Sequence, residues 1–235
     1  AGNPLAPAIV WQDVRAAREA EALDRTISAE DKKAWWGAEM PIGASHALAK
    51  MMWFQKHHPD LWEKTRYVLS PKDYCLLRLT GRAVADPIAS FGHVGLDLTY
   101  IDPLIARVEG AAERLPPLGF FTDIAGEMQL CSHARRVPVI VGTMDAWGNL
   151  FGCGVFRAGQ GMYVSGTSEI LALAGSKRIG ATGVVTFARV DDLVVNAGPT
   201  QSGADSLRWW SRTVGIEPGD VAELAGKADC DGRPI

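Results

Sequence analysis

The sequence predicts a mixed α/β protein built in two parts. Up to about residue 155 the apolar residues recur mostly at helical spacing, whereas after about residue 160 short apolar strands dominate and one helix follows them. Hydrophobic residues make up 47% of the chain and charged residues 22%, as in ordinary folded domains. We therefore expect one part at residues 1–156 and a second at residues 157–235.

Most of the first part is predicted to be helical. Apolar and small residues at helical spacing predict helices at residues 12–23, 47–58, 71–79 and 107–115, and residues 61–67 are predicted to be a short helix or a turn. Pro71 suits the first position of a helix, and Thr80-Gly81 is typical of a helix end. Apolar runs predict a strand at residues 8–11 and a buried strand at residues 137–141, with a helix following at residues 145–154. Residues 27–45 and 86–98 are predicted to be irregular.

The second part is predicted to consist mainly of strands. Residues 162–164 and 170–174 are expected to flank a turn at Gly166, and residues 183–190 and 193–196 a turn at Asp191-Asp192. Residues 202–214 are predicted to be a helix, with Ser202 or Asp205 near its N-terminus. The tryptophan pairs at residues 35–36 and 209–210 are expected to pack in the core.

Charge and cysteine content argue against several classes of function. A net charge of −3 gives no electrostatic basis for binding nucleic acid or an anionic membrane, and no apolar run approaches the roughly 20 residues that span a bilayer. The four cysteines are far apart and form no CxxC pair, which disfavours zinc and thiol redox chemistry. Their sparseness is typical of a reducing compartment, so we expect a cytoplasmic protein.

Asp145 is the first candidate for chemistry, because it stands where a predicted strand meets a predicted helix. Position alone favours a structural role, in which the carboxylate stabilises the helix N-terminus. The functional alternative gains support from a turn one strand later that is able to hold phosphate. In phosphoryl transfer, an acid beside the attacking hydroxyl orients it or accepts its proton.

That turn is Gly166-Thr167-Ser168. Glycine lets backbone N–H groups approach an anion, and the two hydroxyls add hydrogen-bond donors. The alternative is a plain hairpin turn, in which glycine and serine are common. The chain contains no GxxxxGK[ST] loop and no GxGxxG spacing, so neither a Walker-type nor a Rossmann nucleotide site is predicted.

Trp11-Gln12-Asp13 is the third candidate. The indole offers a flat face to a sugar or polyol, and the neighbouring polar side chains offer hydrogen bonds to its hydroxyls. A half-buried tryptophan beside a surface helix explains the pattern equally well.

Five segments in this order resemble the FGGY carbohydrate kinases, the family of xylulokinase, ribulokinase and glycerol kinase. They read WQDVR at 11–15, LSPKDYCLLRLTG at 69–81, VPVIVGTMDAWGNLFG at 137–152, GMYVSGTSEI at 161–170 and SGADSLRWW at 202–210. The resemblance covers nearly the whole chain. It implies an actin-like ATPase fold, the ribonuclease H-like fold of sugar kinases and Hsp70. In that fold two α/β domains enclose the active site in a cleft, with sugar bound by the first and nucleotide by the second.

The resemblance also implies roles for the residues singled out above. Asp145 matches the catalytic base of the family. The other matches are the ATP phosphate loop at Gly166, Thr167 and Ser168, and the lining of the sugar site at Trp11, Gln12 and Asp13.

Two further positions follow from the resemblance. Gly203, Leu207 and Arg208 fall where the nucleotide-facing helix of the family begins. Ala146 stands where xylulokinases often carry Asn and glycerol kinases Gln, a polar contact to the substrate. Because alanine offers no such contact, the exact sugar is left open.

The implied activity is ATP-dependent phosphorylation of a primary hydroxyl of a ketopentose or polyol, with xylulose as the favoured substrate and Mg²⁺ as cofactor. Kinases for ribulose, glycerol or erythritol are alternatives within the family. A non-catalytic sugar-binding relative or an inactive fragment is the alternative outside it. The expected partner is a small sugar or polyol, and a homodimer is an open possibility for the assembly.

Two motifs of the family are expected outside these residues. The DxGT phosphate hairpin, whose Asp helps to hold magnesium, is expected before residue 1, and the Gly-rich adenosine segment after Ile235. We therefore expect the chain to be the middle of a longer kinase, with a fold incomplete at both ends. We assign no metal ligand to it.

Overall fold

The computed structural model describes residues 2–129, 135–166, 169–181, 183–200 and 203–227. None of the helices there is long and apolar enough to cross a membrane. The helices are α1 (Ala17–Asp24), α2 (Ala29–Trp36), α3 (Ala47–His57), α4 (Pro59–Lys64), α5 (Pro71–Thr80), α6 (Asp102–Ile105), α7 (Asp145–Gly152), α8 (Ala204–Val214) and α9 (Pro218–Lys227). The strands are β1 (Ile124–Gln129), β2 (Arg136–Ile140), β3 (Gly161–Ser165), β4 (Glu169–Gly175), β5 (Val185–Thr186) and β6 (Val194–Pro199). Thr167, Ser168 and Ser202 lie outside the described residues.

Helix α5 shows how local sequence signals set the ends of an element. The Ser70 hydroxyl accepts the N–H of Asp73 at 3.2 Å and donates to the Asp73 carboxylate at 2.7 Å. Pro71 lies in the first turn, where no intrahelical N–H bond is lost. Gly81 ends the helix with φ of +76°, a left-handed conformation that glycine adopts without a Cβ clash. The helix predicted at residues 71–79 is therefore confirmed.

The first core lies between α1, α3 and the segment around α6. Helix α1 packs against α3, and both present buried faces to this core. The predicted helix at residues 47–58 is confirmed, and the one predicted at residues 12–23 begins later, at Ala17. The side chains most deeply buried here are Ala16, Leu48, Ala49, Leu104 and Ala111.

Strands β1 and β2 form an antiparallel pair that lies against α5. Val139 is half-buried, but Ile140 is 53% exposed, so the strand predicted at residues 137–141 is not the buried strand expected. The pair is covered on one face, and alternate side chains therefore point to solvent. The small core under the covered face consists of Leu76, Val84, Ala125 and Val141.

Four antiparallel strands form the second sheet in the order β3-β4-β6-β5. Both predicted hairpins are confirmed, since β3 pairs with β4 around Gly166 and β5 pairs with β6 around residues 191–192. Helix α7 contributes Trp147 and Leu150 to the core of this sheet. The sheet contributes Met162, Ala172, Ala174, Val195 and Ala197.

Residues 8–11 do not form the predicted strand. The carbonyl groups of Ile9 and Val10 accept hydrogen bonds from the Lys50 ammonium at 3.2 and 3.0 Å. A lysine therefore satisfies backbone acceptors that a neighbouring strand would otherwise bond. The apolar side chains of this segment are mostly exposed, since Val10 is 55% and Trp11 62% exposed, so the apolar pattern does not mark a buried strand.

Two other segments of the first part differ from the prediction. Residues 27–45 contain α2, which Ser28 caps by accepting the N–H of Asp31 at 3.0 Å. The helix predicted at residues 107–115 is wrong, because α6 precedes it and a short 3-10 turn covers Ala112–Arg114. Strand β1 and helix α9 have no counterpart among the predicted elements.

The two tryptophan pairs differ in burial. Trp36 is buried in the first core, as predicted, and Trp35 packs against that core. Trp209 is 67% exposed and Trp210 is also exposed, so the prediction of core packing is wrong for this pair. In the described residues, α8 buries Ser211 alone and packs against α9.

Two histidine side chains are enclosed near the first core. At the N-cap of α3, His46 Nδ1 accepts the N–H of Leu48 at 3.3 Å, and the buried His93 ring stacks on Tyr100. Gly92 has φ of +102°, and a Cβ at this position would lie 2.8 Å from His46 Nε2. Burial lowers the pKa of both histidines, and that of His93 to about 3.

We expect mild acid to destabilise the protein through His93. The pKa of this histidine is about 3 in the folded state and 6.5 in an unperturbed side chain, so the unfolded chain binds more protons between these pH values. The free energy of unfolding therefore decreases as the pH falls through this window. At pH 5 the loss for one such group is about 2 kcal/mol. Urea unfolding at pH 7.5 and pH 5.0 measures the difference.

Two variants test the assignment. His93→Phe keeps an aromatic ring beside Tyr100 and should weaken the pH dependence, whereas His57→Gln, at the exposed end of α3, should leave it unchanged. An identical pH dependence in wild type and His93→Phe contradicts the role given to His93.

Candidate active site

Asp145 is the first residue of α7, five positions beyond Ile140 in the last pair of the β1–β2 ladder. Its carboxylate is exposed, and Oδ1 accepts the N–H of Ala146 at 2.7 Å. The negative charge therefore lies at the positive end of the α7 dipole, as the structural interpretation predicts. The exposed carboxylate is equally able to accept a proton from a bound hydroxyl, as the functional interpretation requires.

The backbone that leads to Asp145 is held from two sides. The Lys72 ammonium donates to the carbonyl of Val141 at 3.0 Å. The Thr143 hydroxyl donates to Asp86 Oδ2 at 2.6 Å. Helix α5 and the loop after it thus fix the connection between β2 and α7.

Asp86 is a residue that the sequence analysis missed. Its side chain is wholly buried, and Oδ2 also accepts the N–H of Ala89 at 2.9 Å. Burial raises the pKa of Asp86, while the Thr143 hydroxyl and the Ala89 N–H act in the opposite direction. The available signal was composition, because Asp86 is the single Asp, Glu, Lys or Arg between residues 83 and 96.

Gly166, which follows β3, lies against the start of α8. The carbonyl of Gly166 accepts the N–H of Ala204 at 2.7 Å. At the base of the turn, the N–H of Glu169 donates to the Thr200 hydroxyl at 3.1 Å. The structure therefore brings Gly166 close to Gly203, the residue that precedes α8, although the two are 37 positions apart in the sequence.

The first turns of α8 present their side chains to solvent. Leu207 and Arg208 are both exposed, and the Arg208 guanidinium lies 3.8 Å from the Asp205 carboxylate. Gly203 has no side chain with which to cap the helix. A helix start of this kind attracts an anion, although the negative charge of Asp205 opposes this attraction.

The Trp11 segment is exposed and held in place by charged groups. Trp11 is 62% exposed, so the alternative of a half-buried tryptophan is wrong. The Arg15 guanidinium donates to both Asp13 oxygens at 2.9 and 2.8 Å and lies 4.9 Å from the Trp53 ring centre. These hydrogen bonds keep the pKa of Asp13 below its usual value. Gln12, between these residues, is also exposed.

The predicted site residues fall into three groups in the described structure. Gly166 and Gly203 lie together, and Ala146, which is half-buried, contacts Asp145 through its N–H. No hydrogen bond or ion pair in the described part joins the Trp11 segment to Asp145 or to Gly166.

The described residues do not form a complete magnesium site. Among them, no group of three or more His, Cys, Asp or Glu side chains is placed to hold a metal ion. Mg²⁺ in phosphate-handling sites is bound by one or two carboxylates together with substrate phosphates. The described residues offer Asp145 as one such carboxylate and show no further ligand beside it, so the metal enters no step derived below.

Comparison with known proteins gives a consistent result. Residues 1–152 match the FGGY family of carbohydrate kinases, N-terminal domain. A xylulose kinase from Klebsiella pneumoniae is 30% identical over 173 residues, which cover 71% of this chain and 35% of that protein. An L-fuculokinase from Escherichia coli (strain K12) is 30% identical over 186 residues, covering 75% of this chain and 38% of that protein.

A solved structure agrees. The crystal structure of a xyloylose kinase from Brucella ovis superimposes with a TM-score of 0.83 at 26% identity, covering 95% of this chain and 48% of that chain. The actin-like sugar-kinase fold predicted from the sequence is thereby confirmed. The chain spans between a third and a half of the length of these relatives.

The contribution of Asp145 to stability is expected to be small. Its charge at the N-terminus of α7 stabilises the helix by about 0.5 kcal/mol, so Asp145→Asn should lower the free energy of unfolding by less than about 1 kcal/mol. Ser70→Ala, which removes the N-cap acceptor of α5, should cost about 1 kcal/mol or more. Urea unfolding of both variants beside the wild type measures this. A loss for Asp145→Asn that exceeds the loss for Ser70→Ala would mean that the residue is mainly structural.

Proposed function

This chain belongs to the FGGY family of carbohydrate kinases, and we propose that its full-length protein transfers the γ-phosphoryl group of ATP to a primary hydroxyl of a ketopentose or polyol. The observation that supports this most directly is the exposed Asp145 carboxylate at the start of α7. The residue lies in the segment that matches the family. Xylulose is the first substrate to test, since a xylulose kinase is among the similar proteins.

In the proposed reaction Asp145 acts as the base. As the sugar oxygen attacks phosphorus, its proton passes to the Asp145 carboxylate, the new O–P bond forms, and the bond to the leaving ADP oxygen breaks. Phosphoryl transfer depends mainly on positioning and on stabilising charge, so the fixed start of α7 matters as much as the acid itself.

The other site residues are assigned to the two substrates. The exposed Trp11 ring offers its face to the sugar, and Gln12 and Asp13 offer polar groups to its hydroxyls. Backbone groups at Gly166, with Thr167 and Ser168 beyond it, are assigned to the phosphates of ATP. The exposed start of α8, with Gly203, Leu207 and Arg208, is assigned to the nucleotide.

Sugar binding and nucleotide binding are assigned to the two proposed domains. Residues 1–156 are assigned to the C-terminal part of the sugar-binding domain, which is the N-terminal domain of the kinase, and residues 157–235 to the start of the C-terminal, nucleotide-binding domain. The family match, which ends at residue 152, supports a boundary in this region. The use of ATP and the small number of cysteines are consistent with a cytoplasmic location. The net charge of −3 is consistent with a protein that does not bind nucleic acid. A homodimer is the first assembly to test.

The substrate is tested by assaying ATP consumption of the full-length protein with xylulose, ribulose, glycerol and erythritol. Ala146 places no polar side chain beside Asp145, so discrimination among these substrates must come from other contacts. We expect turnover that depends on the sugar, with the highest kcat/KM for xylulose. Sugar binding by calorimetry without ATP consumption would indicate a non-catalytic relative and overturn the proposal.

Asp145→Asn in the full-length protein is expected to lower kcat by about 100-fold or more with little change in sugar affinity, because the variant keeps the side-chain shape and loses the proton acceptor. Steady-state kinetics and sugar titration measure the two effects. Asp60→Asn, an exposed acid in the first turn of α4, is the matched control and should stay near wild type. A kcat near wild type for Asp145→Asn rejects the assignment.

Trp11→Ala is expected to weaken sugar binding by about 10-fold and to leave ATP binding nearly unchanged, because the flat face is assigned to the sugar. Trp11→Phe should retain most of the affinity. Val14→Ala, a change at another exposed apolar residue of the same segment, serves as the control. Separate titrations with sugar and with a nonhydrolysable ATP analogue measure the two affinities. A change confined to nucleotide affinity would contradict the assignment of Trp11 to the sugar.

A further inference from the structure

We propose that Asp86 is a positioning residue, which acts through Thr143 to fix the backbone that carries Asp145. The inference deepens the proposed function and rests on it for its catalytic meaning. Its structural basis, the hold of a buried carboxylate on the connection between β2 and α7, does not depend on which reaction takes place.

The geometry places Asp86 close to the candidate base along the chain it holds. One residue, Met144, separates Thr143 from Asp145. The 2.6 Å bond from the Thr143 hydroxyl to Asp86 Oδ2 lies inside the protein, since Asp86 has no exposed surface. A short bond to a charged acceptor in a water-free environment is among the stronger side-chain hydrogen bonds.

Asp86 is itself held in place. Its Oδ2 accepts the N–H of Ala89, and its carbonyl accepts the N–H of Ser90 at 2.9 Å. The carboxylate therefore belongs to a turn that closes on itself and leaves Asp86 little freedom. The bond to Thr143 spans 57 residues and joins this turn to the β2–α7 connection.

Stability alone does not account for this arrangement. The carboxylate is wholly buried, and it is held by the Thr143 hydroxyl and by backbone N–H groups of its own turn, those of Ala89 and Ile88. Burying a carboxylate costs free energy even when it is hydrogen-bonded, and an apolar side chain at this position would avoid that cost. The cost is explained if the carboxylate serves the segment it holds.

Lys72 acts on the same segment from the other side. Its ammonium donates to the carbonyl of Val141 and pairs with the Asp73 carboxylate at 2.6 Å. The same ammonium also favours the charged form of Asp86. Residues 141 and 143 are thus both held by buried or partly buried charged groups, immediately before the α7 N-terminus. Displacements of about 1 Å at a reacting group are enough to lower catalysis markedly.

The test uses the full-length protein and the bond to Thr143. Thr143→Val removes the hydroxyl at nearly constant volume, and Thr143→Ser keeps it. We expect kcat to fall about 10-fold for Thr143→Val with both KM values within about twofold, and Thr143→Ser to restore most of kcat. Thr186→Val is the matched control, because the Thr186 hydroxyl makes a comparable buried bond to Asn196 Oδ1 at 2.9 Å outside this segment.

A double-mutant cycle with Asp86→Ala distinguishes positioning from general destabilisation. If the two residues act through one bond, Asp86→Ala combined with Thr143→Val should lower kcat no further than the more harmful single variant. Additive losses, or a loss in Thr186→Val as large as that in Thr143→Val, overturn the proposal. The Thr143 variants keep the test valid if Asp86→Ala does not fold.

Hydrogen exchange separates this inference from the proposed function. Amide exchange in the peptide covering residues 141–148 should be about 10-fold faster in Thr143→Val than in wild type, and unchanged in Thr186→Val. Unchanged exchange in Thr143→Val overturns the positioning role whatever the activity. A wild-type protein that consumes no ATP with any sugar, yet shows the exchange effect, overturns the proposed function and leaves the hold of Asp86 on this segment established.

Discussion

The short connection between β2 and α7 is the constraint on which the candidate site depends. Its amide groups are fixed by the β1 side of the sheet, where Val141 N–H donates to the carbonyl of Asp123 and Gly142 N–H to that of Phe121, both at 2.9 Å. Its Val141 carbonyl and its Thr143 hydroxyl are held by Lys72 and by the buried Asp86. Residues 141–143 are therefore tied to three separate segments of the chain. This gives α7, and the acid at its start, a defined direction.

Helices and strands whose ends carry clear sequence signals were predictable from the sequence. Helix α5 begins with Ser70-Pro71 and ends with Gly81, and both hairpins of the second sheet turn at small or polar residues, so local chemistry agreed with the final fold. The errors arose where a distant partner decided the outcome. The segment around Ile9 has the apolar character of a strand, but a lysine ammonium takes the place of a neighbouring strand.

The candidate site shows the same difference between features set by local sequence and features set by a distant partner. Asp145 and Gly166 could be found from the sequence, because each lies at a junction between predicted elements. Asp86 stands out in the sequence only as a lone charge, and its role did not follow from this signal, since a lone acid at the start of a loop commonly forms a local turn and its partner is 57 residues away. The exposure of Trp209 was also beyond prediction, because an aromatic residue at helical spacing does not reveal whether its helix is covered.

Because the loop at Gly92 lies close to His46, two independent constraints restrict which residue can occupy position 92. The backbone angle of +102° strains any side chain other than that of glycine, and a Cβ would lie 2.8 Å from His46 Nε2, so one of the two groups would have to move. A smaller side chain at position 46 would open the space beside Gly92 but would not change its φ angle. A substitution of His46 therefore leaves the backbone strain at position 92 in place. We therefore expect substitutions in this loop to occur at positions other than Gly92. A replacement of Gly92 itself would require the loop to take a different path.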